Sequence, residues 1–186
     1  MTDLASHQPP ANAMARPTAR FMLSHPAHAI ALGLGSGLSP VAPGTAGTLW
    51  AWLAFLVMQN YGMADAGFAL LIAASLALGW WASTVTARHM QVLDPGSIVW
   101  DEVVAFWLVL WLVMPAGFWG QLVAFALFRF FDAVKPGPVG WADRLFHGMD
   151  ARHDRNAWAK AGFGIMLDDL VAAGCTVLAI ALWRFL

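Results

Sequence analysis

Charge is scarce in this sequence: Lys, Arg, Asp and Glu make up 11% of 186 residues, against roughly 25% in ordinary soluble domains. The formal net charge is −1, which excludes the broad basic field that attracts nucleic acid, and no nucleic-acid partner is expected. Cysteine is all but missing. Cys175 stands alone in an apolar run, so disulfides and cysteine-ligated zinc are out, and the thiol reads as buried and inert. The one glycine-rich stretch lacks Gly-Lys-Ser/Thr, which removes a Walker-type phosphate loop. No His-x-x-x-His pair falls on an apolar run. His7, His25 and His28 lie near the N-terminus and His89, His147 and His153 in polar links, where each is expected to be solvated. Residues 1–28 are polar, carry Pro9, Pro10, Pro17 and Pro26, and lack the apolar core of a signal peptide. They read as a flexible cytosolic tail, or as a weak surface segment from Arg20 to His28.

What is abundant is apolar surface. The chain is 60% hydrophobic, with 11 Trp and 12 Phe. This composition predicts an all-α fold, a polytopic membrane helical bundle of about five spans with cytoplasmic loops, in which residues 29–186 form one membrane domain. The spans are expected at Thr48–Tyr61, at Ala66–Thr86, from within Ile98–Val104 to Pro115, at Phe118–Ala133 and at Phe163–Phe185. About 20 uncharged residues in the second suffice for ~30 Å of hydrocarbon at 1.5 Å per residue. Its Ala73, Ala74, Ser75 and Gly79 suit close helix packing in lipid. Trp80, Trp81, Trp100, Trp119 and Trp183 sit near span ends, as an interfacial belt requires. With the N-terminus inside, Arg16, Arg20, Arg88, Lys135, Arg144, Arg152, Arg155 and Lys160 all fall on the cytoplasmic side.

The same topology brings Asp101, Glu102, Asp132, Asp168 and Asp169 to the cytoplasmic ends of their spans, together with the glycine-rich stretch 33–47. A charged side chain at the centre of a membrane helix costs at least ~2.5–3.5 kcal/mol, so clustered carboxylates need partners, a metal or water. Oxygen ligands without cysteine suit a hard ion, and Mg²⁺ is the natural candidate. Neighbours on a helix diverge by about 100°, so within Asp101-Glu102 and Asp168-Asp169 one acid can face a metal while the other supports it. Arg129, Asp132 and Lys135, spaced by three, are expected along one helical face that Pro136 terminates. The two cations suit a phosphate. The glycine-rich stretch reads either as a phosphate cradle at a helix N-terminus or as a turn whose Ser and Thr merely cap a helix.

Four segments taken in order carry a resemblance: residues 38–48 (LSPVAPGTAGT), 98–102 (IVWDE), 128–136 (FRFFDAVKP) and 162–169 (GFGIMLDD). Over about residues 28–186 the chain resembles the phosphatidylglycerophosphatase A family. The resemblance implies a Mg²⁺-dependent lipid phosphatase of the bacterial inner membrane, multi-pass, with its active site facing the cytoplasm. Its substrate would be the lipid phosphatidylglycerophosphate, converted to phosphatidylglycerol. It further implies that Asp101, Glu102, Asp132, Asp168 and Asp169 form the metal and catalytic centre, and that Thr45, Thr48, Arg129 and Lys135 contact the phosphate. Asp101, Asp132 and Asp168 are expected as the first ligands, with Glu102 or Asp169 completing the shell or acting as general base. Water attack and an aspartyl-phosphate route both stay open. Residues 149–161 depart from the family's pattern as an extra stretch in a cytosolic link. Two other classes stand beside this reading: a small cation transporter with acids at several depths, and a noncatalytic lipid-binding or assembly protein.

Overall fold

A computed structural model describes residues 16–146, 154 and 156–185, and among them the regular structure is helical throughout. Short helices α1 (Ala19–Leu23) and α2 (Pro26–Ala31) lead through an irregular 3₁₀ segment, Gly33–Leu38, into four long helices. These are α3 (Pro43–Asn60), α4 (Asp65–Met90), α5 (Trp100–Val113) and α6 (Phe118–Val134). A short α7 (Pro138–Arg144) precedes the long α8 (Ala157–Phe185).

Helix α5 is the hub and packs against α3, α4, α6 and α8. Its sequence allows this because it is apolar on every side after its first turn. Val103, Val104, Phe106, Val109 and Leu110 are completely buried. Phe106 stacks on Phe128 of α6 with ring centroids 5.5 Å apart. Indole N–H groups tie the bundle polar-to-polar: Trp107 donates to the Ala51 carbonyl at 2.9 Å and Trp100 to the Ser75 carbonyl at 3.1 Å. Gly79 lets α4 approach closely, since a Cβ there would lie 2.7 Å from the Trp100 ring and 3.0 Å from Met166 Sδ. That contact realises the small-residue packing expected of the second span.

Two helices, α4 and α8, are long and apolar enough to cross a membrane. At 1.5 Å per residue the 14 residues of α5 reach only about 21 Å, short of a ~30 Å hydrocarbon core. Outward-facing apolar residues nevertheless encircle the bundle, among them Leu53 on α3, Leu70 on α4, Val123 on α6 and Leu178 on α8.

Several boundaries differ from the sequence expectation. Helix α3 starts at Pro43 and not at Thr48, because proline costs nothing in a first helical turn. Helix α8 starts at Ala157, so the last residues of the extra stretch 149–161 form its first turn and Asp168-Asp169 lie about three turns inside. The expected flexible tail is folded from Ala19 onward. Thr18 caps α1 by accepting from Phe21 N–H at 3.2 Å, and the His25 ring caps α2 by accepting from Ala27 N–H at 3.1 Å. His28 is buried rather than solvated. Its Nδ1 donates to the Phe21 carbonyl (2.9 Å), which can only accept, and its Nε2 meets His89 Nδ1 at 2.8 Å. Burial lowers the pKa of His28, and the neighbouring His89 and His25 push the same way against the bond to Phe21. His7, His147 and His153 lie outside the described residues.

Candidate active site

The starts of α3 and α5 and the end of α6 meet α8 about three turns along it, around the carboxylates, with α7 alongside. Asp101 and Glu102 occupy the first turn of α5, where unpaired N–H groups and the helix dipole favour negative charge. Val99, which caps that turn, donates its N–H to the Ala31 carbonyl at 2.9 Å, so the N-terminal segment holds α5 in place. Arg129 and Asp132 share a face of α6 at i, i+3, and Arg129 Nη1 donates to Asp132 Oδ2 at 2.5 Å. The same nitrogen reaches Glu102 Oε1 at 3.0 Å and Thr48 Oγ1 at 3.3 Å.

Lys135 does not continue the Arg129 face, as the spacing of three suggested. It caps α6 in the left-handed region (φ 49°), which turns its side chain away toward α7 and α8. There its ammonium donates to Asp168 Oδ2 at 2.6 Å and to Asp143 on α7. Burial opposes the Lys135 charge, but the bonds to Asp143 and Asp168 outweigh it and raise the pKa above that of an ordinary lysine. Asp143 was not anticipated, because it lies in a polar basic stretch with no periodic pattern. The only signal was its place soon after Pro136 and Pro138, where the chain folds back.

The adjacent acids Asp168 and Asp169 split as helical geometry requires. Asp168 turns to Lys135, while Asp169 turns inward to join Glu102 and Asp132. One carboxyl oxygen from each of Glu102, Asp132 and Asp169 lies within 4.8 Å of the other two. Asp101 stands close enough for its charge to act on Asp169. Glu102 Oε2, Asp169 Oδ2 and Asp101 Oδ1 are buried with no hydrogen-bond partner. Orphaned carboxylate oxygens are expensive, and an oxygen-only donor set at this spacing fits a hard cation once the ligands close in by a few tenths of an ångström. The grouping differs from the expected first ligands Asp101, Asp132 and Asp168, of which Asp132 alone belongs to the close trio.

The glycine-rich stretch lies against this cluster. A Cβ on Gly44 would overlap Glu102 Oε1 and come within 2.8 Å of its Cδ, and one on Gly47 would lie 3.2 Å from Glu102 Oε2. Thr45 is half-buried on the same first turn, while Thr48 is completely buried and donates to the Gly44 carbonyl at 2.9 Å.

A centre made of carboxylates and two braced cations, closed into one end of an apolar helical bundle, is that of an enzyme rather than a passive scaffold. The family model for phosphatidylglycerophosphatase A matches residues 29–184, and the chain belongs to that family. Phosphatidylglycerophosphatase A of Escherichia coli strain K12 is 38% identical over 159 residues, covering 82% of this chain and 80% of the relative. The Haemophilus influenzae protein of the same name is 35% identical over 164 residues, covering 88% and 92%. A Bacteroides thetaiotaomicron protein provisionally named a phosphatidylinositol-3-phosphatase is 35% identical over 162 residues, covering 84% and 92%. No solved structure matches the chain. The chain is a phosphatase.

Proposed function

We propose that this phosphatase hydrolyses the terminal phosphate of phosphatidylglycerophosphate in the presence of Mg²⁺, giving phosphatidylglycerol and phosphate. The observation that carries the reading is the convergence of Glu102, Asp132 and Asp169, in which Glu102 Oε2 and Asp169 Oδ2 are buried without a protein partner. Glu102, Asp132 and Asp169 would hold the metal, with Asp101 next to them. When bound, Mg²⁺ would neutralise the phosphate and lower the pKa of a water.

The protein's own groups account for the remainder. Lys135, bonded to Asp168 next to Asp169 in the chain, and Thr45, next to Gly44 in the first turn of α3, would receive the phosphate oxygens. Asp169 would hold the metal through one carboxyl oxygen and take the proton of the attacking water on the other as the P–O bond to glycerol breaks, and the glycerol oxygen leaves as a hydroxyl after gaining a proton from solvent. Asp168 would keep Lys135 charged and in place. The acyl chains would stay in lipid along the apolar flank, with the bundle crossing a bacterial inner membrane about five times and the carboxylate end facing the cytoplasm. The two crossing-length helices and the family membership support that placement.

The test is phosphate release by the purified chain in detergent micelles. Phosphatidylglycerophosphate is offered beside phosphatidic acid and phosphatidylinositol 3-phosphate, each with Mg²⁺ and with chelator. Selective release from the first lipid, lost with chelator, is expected. Equal or greater turnover of another lipid would overturn the substrate, and release in chelator would overturn the metal.

A further inference from the structure

We propose that Thr48 and Arg129 form a brace that positions the carboxylates, and that Arg129 serves these acids rather than the substrate phosphate. The inference rests on the metal-binding reading of Glu102, Asp132 and Asp169 and assigns roles behind them.

A threonine hydroxyl has one proton. Thr48 gives it to the Gly44 carbonyl, one turn back on α3, and its side chain is completely buried. Thr48 Oγ1 therefore has nothing to donate to a phosphate, and only its lone pair faces Arg129 Nη1 at 3.3 Å. Arginine can only donate, so the direction of this chain of bonds is fixed: Arg129 to Thr48, and Thr48 to the helix backbone. The same Nη1 bonds Glu102 Oε1 at 3.0 Å and Asp132 Oδ2 at 2.5 Å. Glu102 is thus divided. One oxygen is taken by Arg129, and the other, Oε2, is buried without a partner. A carboxylate gripped by one oxygen presents the second in a set direction, which is how an outer hydrogen bond orients a metal ligand.

The glycine-rich stretch completes the cage. Gly44 presses against Glu102 and Gly47 against Val99 and Glu102, and neither position has room for a Cβ. At Gly44 the α3 backbone touches a carboxylate, and at Gly47 chiefly the Val99 side chain. This explains a glycine-rich helix start without any phosphate cradle.

The experiment uses the full-length protein in detergent and Mn²⁺ as a paramagnetic probe, with free Mn²⁺ counted by its resonance signal. Thr48→Val keeps the shape of the side chain and removes both hydrogen bonds. It is expected to weaken Mn²⁺ binding by about 10–100-fold, as loss of an outer partner of a metal ligand typically does. At saturating metal its KM for phosphatidylglycerophosphate should stay within about twofold of wild type. Thr48→Ser, which restores the hydroxyl, should recover the affinity. Arg129→Lys, which keeps the charge and loses the planar fork, should also weaken Mn²⁺ binding, and it serves if the valine variant fails to fold. Unchanged Mn²⁺ affinity with a raised lipid KM in Thr48→Val or Arg129→Lys would overturn the proposal and return Arg129 to the phosphate. Wild-type protein that binds no Mn²⁺ would overturn the metal reading itself, a different result seen before any variant is made.

Discussion

At the scale of single residues, the acids do not share one role. Asp168 spends its charge on Lys135, whereas Asp169, Glu102 and Asp101 each keep a buried oxygen without a partner. Asp169→Asn and Glu102→Gln preserve size and remove the negative charge. Each should lower phosphate release by about 10²–10⁴-fold, the range for loss of a positioned acid or base, while circular dichroism of the detergent-solubilised protein stays unchanged. Near-normal turnover in both variants would remove the trio from the chemistry. The sequence displayed these acids plainly, because charge stands out in apolar runs. It did not reveal which of Asp168 and Asp169 turns inward, since that depends on helix rotation against neighbours far along the chain. Lys135 shows the same limit: a spacing of three predicts one face, but a left-handed cap at the helix end breaks the line.

At the scale of elements, the N-terminal pair α1–α2 is the part that sequence reasoning treated as loose. Short helices rich in proline and histidine carry little apolar periodicity, and their fold depends on a partner, the end of α4, which a local pattern cannot show. The His28–His89 contact makes that docking sensitive to pH. Burial depresses the folded pKa of His28 below its ordinary value of 6.5, so the undocked segment takes up a proton more readily. Docking is therefore fully present above that value and is lost as pH falls through it toward the folded pKa. His25 and His89, the ionisable groups that face His28, oppose a positive charge on its ring. Limited proteolysis should cut near Leu23, an exposed residue at the end of α1, faster at pH 5.5 than at pH 7.5. A His28→Gln variant should lose most of this pH dependence. Equal cutting of the wild-type chain at both values would count against the docking contact.

At the scale of the whole molecule, helicity and family were legible from composition and four ordered motifs, and the structure and comparisons bear both out. The number of crossings was less legible. Composition marks a residue run as apolar but does not tell a lipid-facing helix from a core helix, and α5, apolar all round and short, is buried among its neighbours. On the proposed metal reading, global stability depends on a cation, because folding brings Glu102, Asp132 and Asp169 together. Mg²⁺ present at about 100 times its Kd should stabilise the fold by about 2.7 kcal/mol, seen as a rise in thermal midpoint that chelator abolishes. A midpoint indifferent to both would indicate that protonation or Arg129 alone balances the cluster.

The apolar ring formed by Leu53, Leu70, Val123 and Leu178 has a consequence for how the catalyst meets its substrate. On the proposed membrane placement the protein searches a plane, and what it senses is the number of substrate heads per unit of that plane. Adding inert detergent at a fixed amount of lipid in the tube spreads those heads apart, and turnover should fall even though the bulk concentration is unchanged. The same confinement holds the product lipid in the sheet where it was made, while the freed phosphate escapes into three dimensions, so the two products part by partition alone.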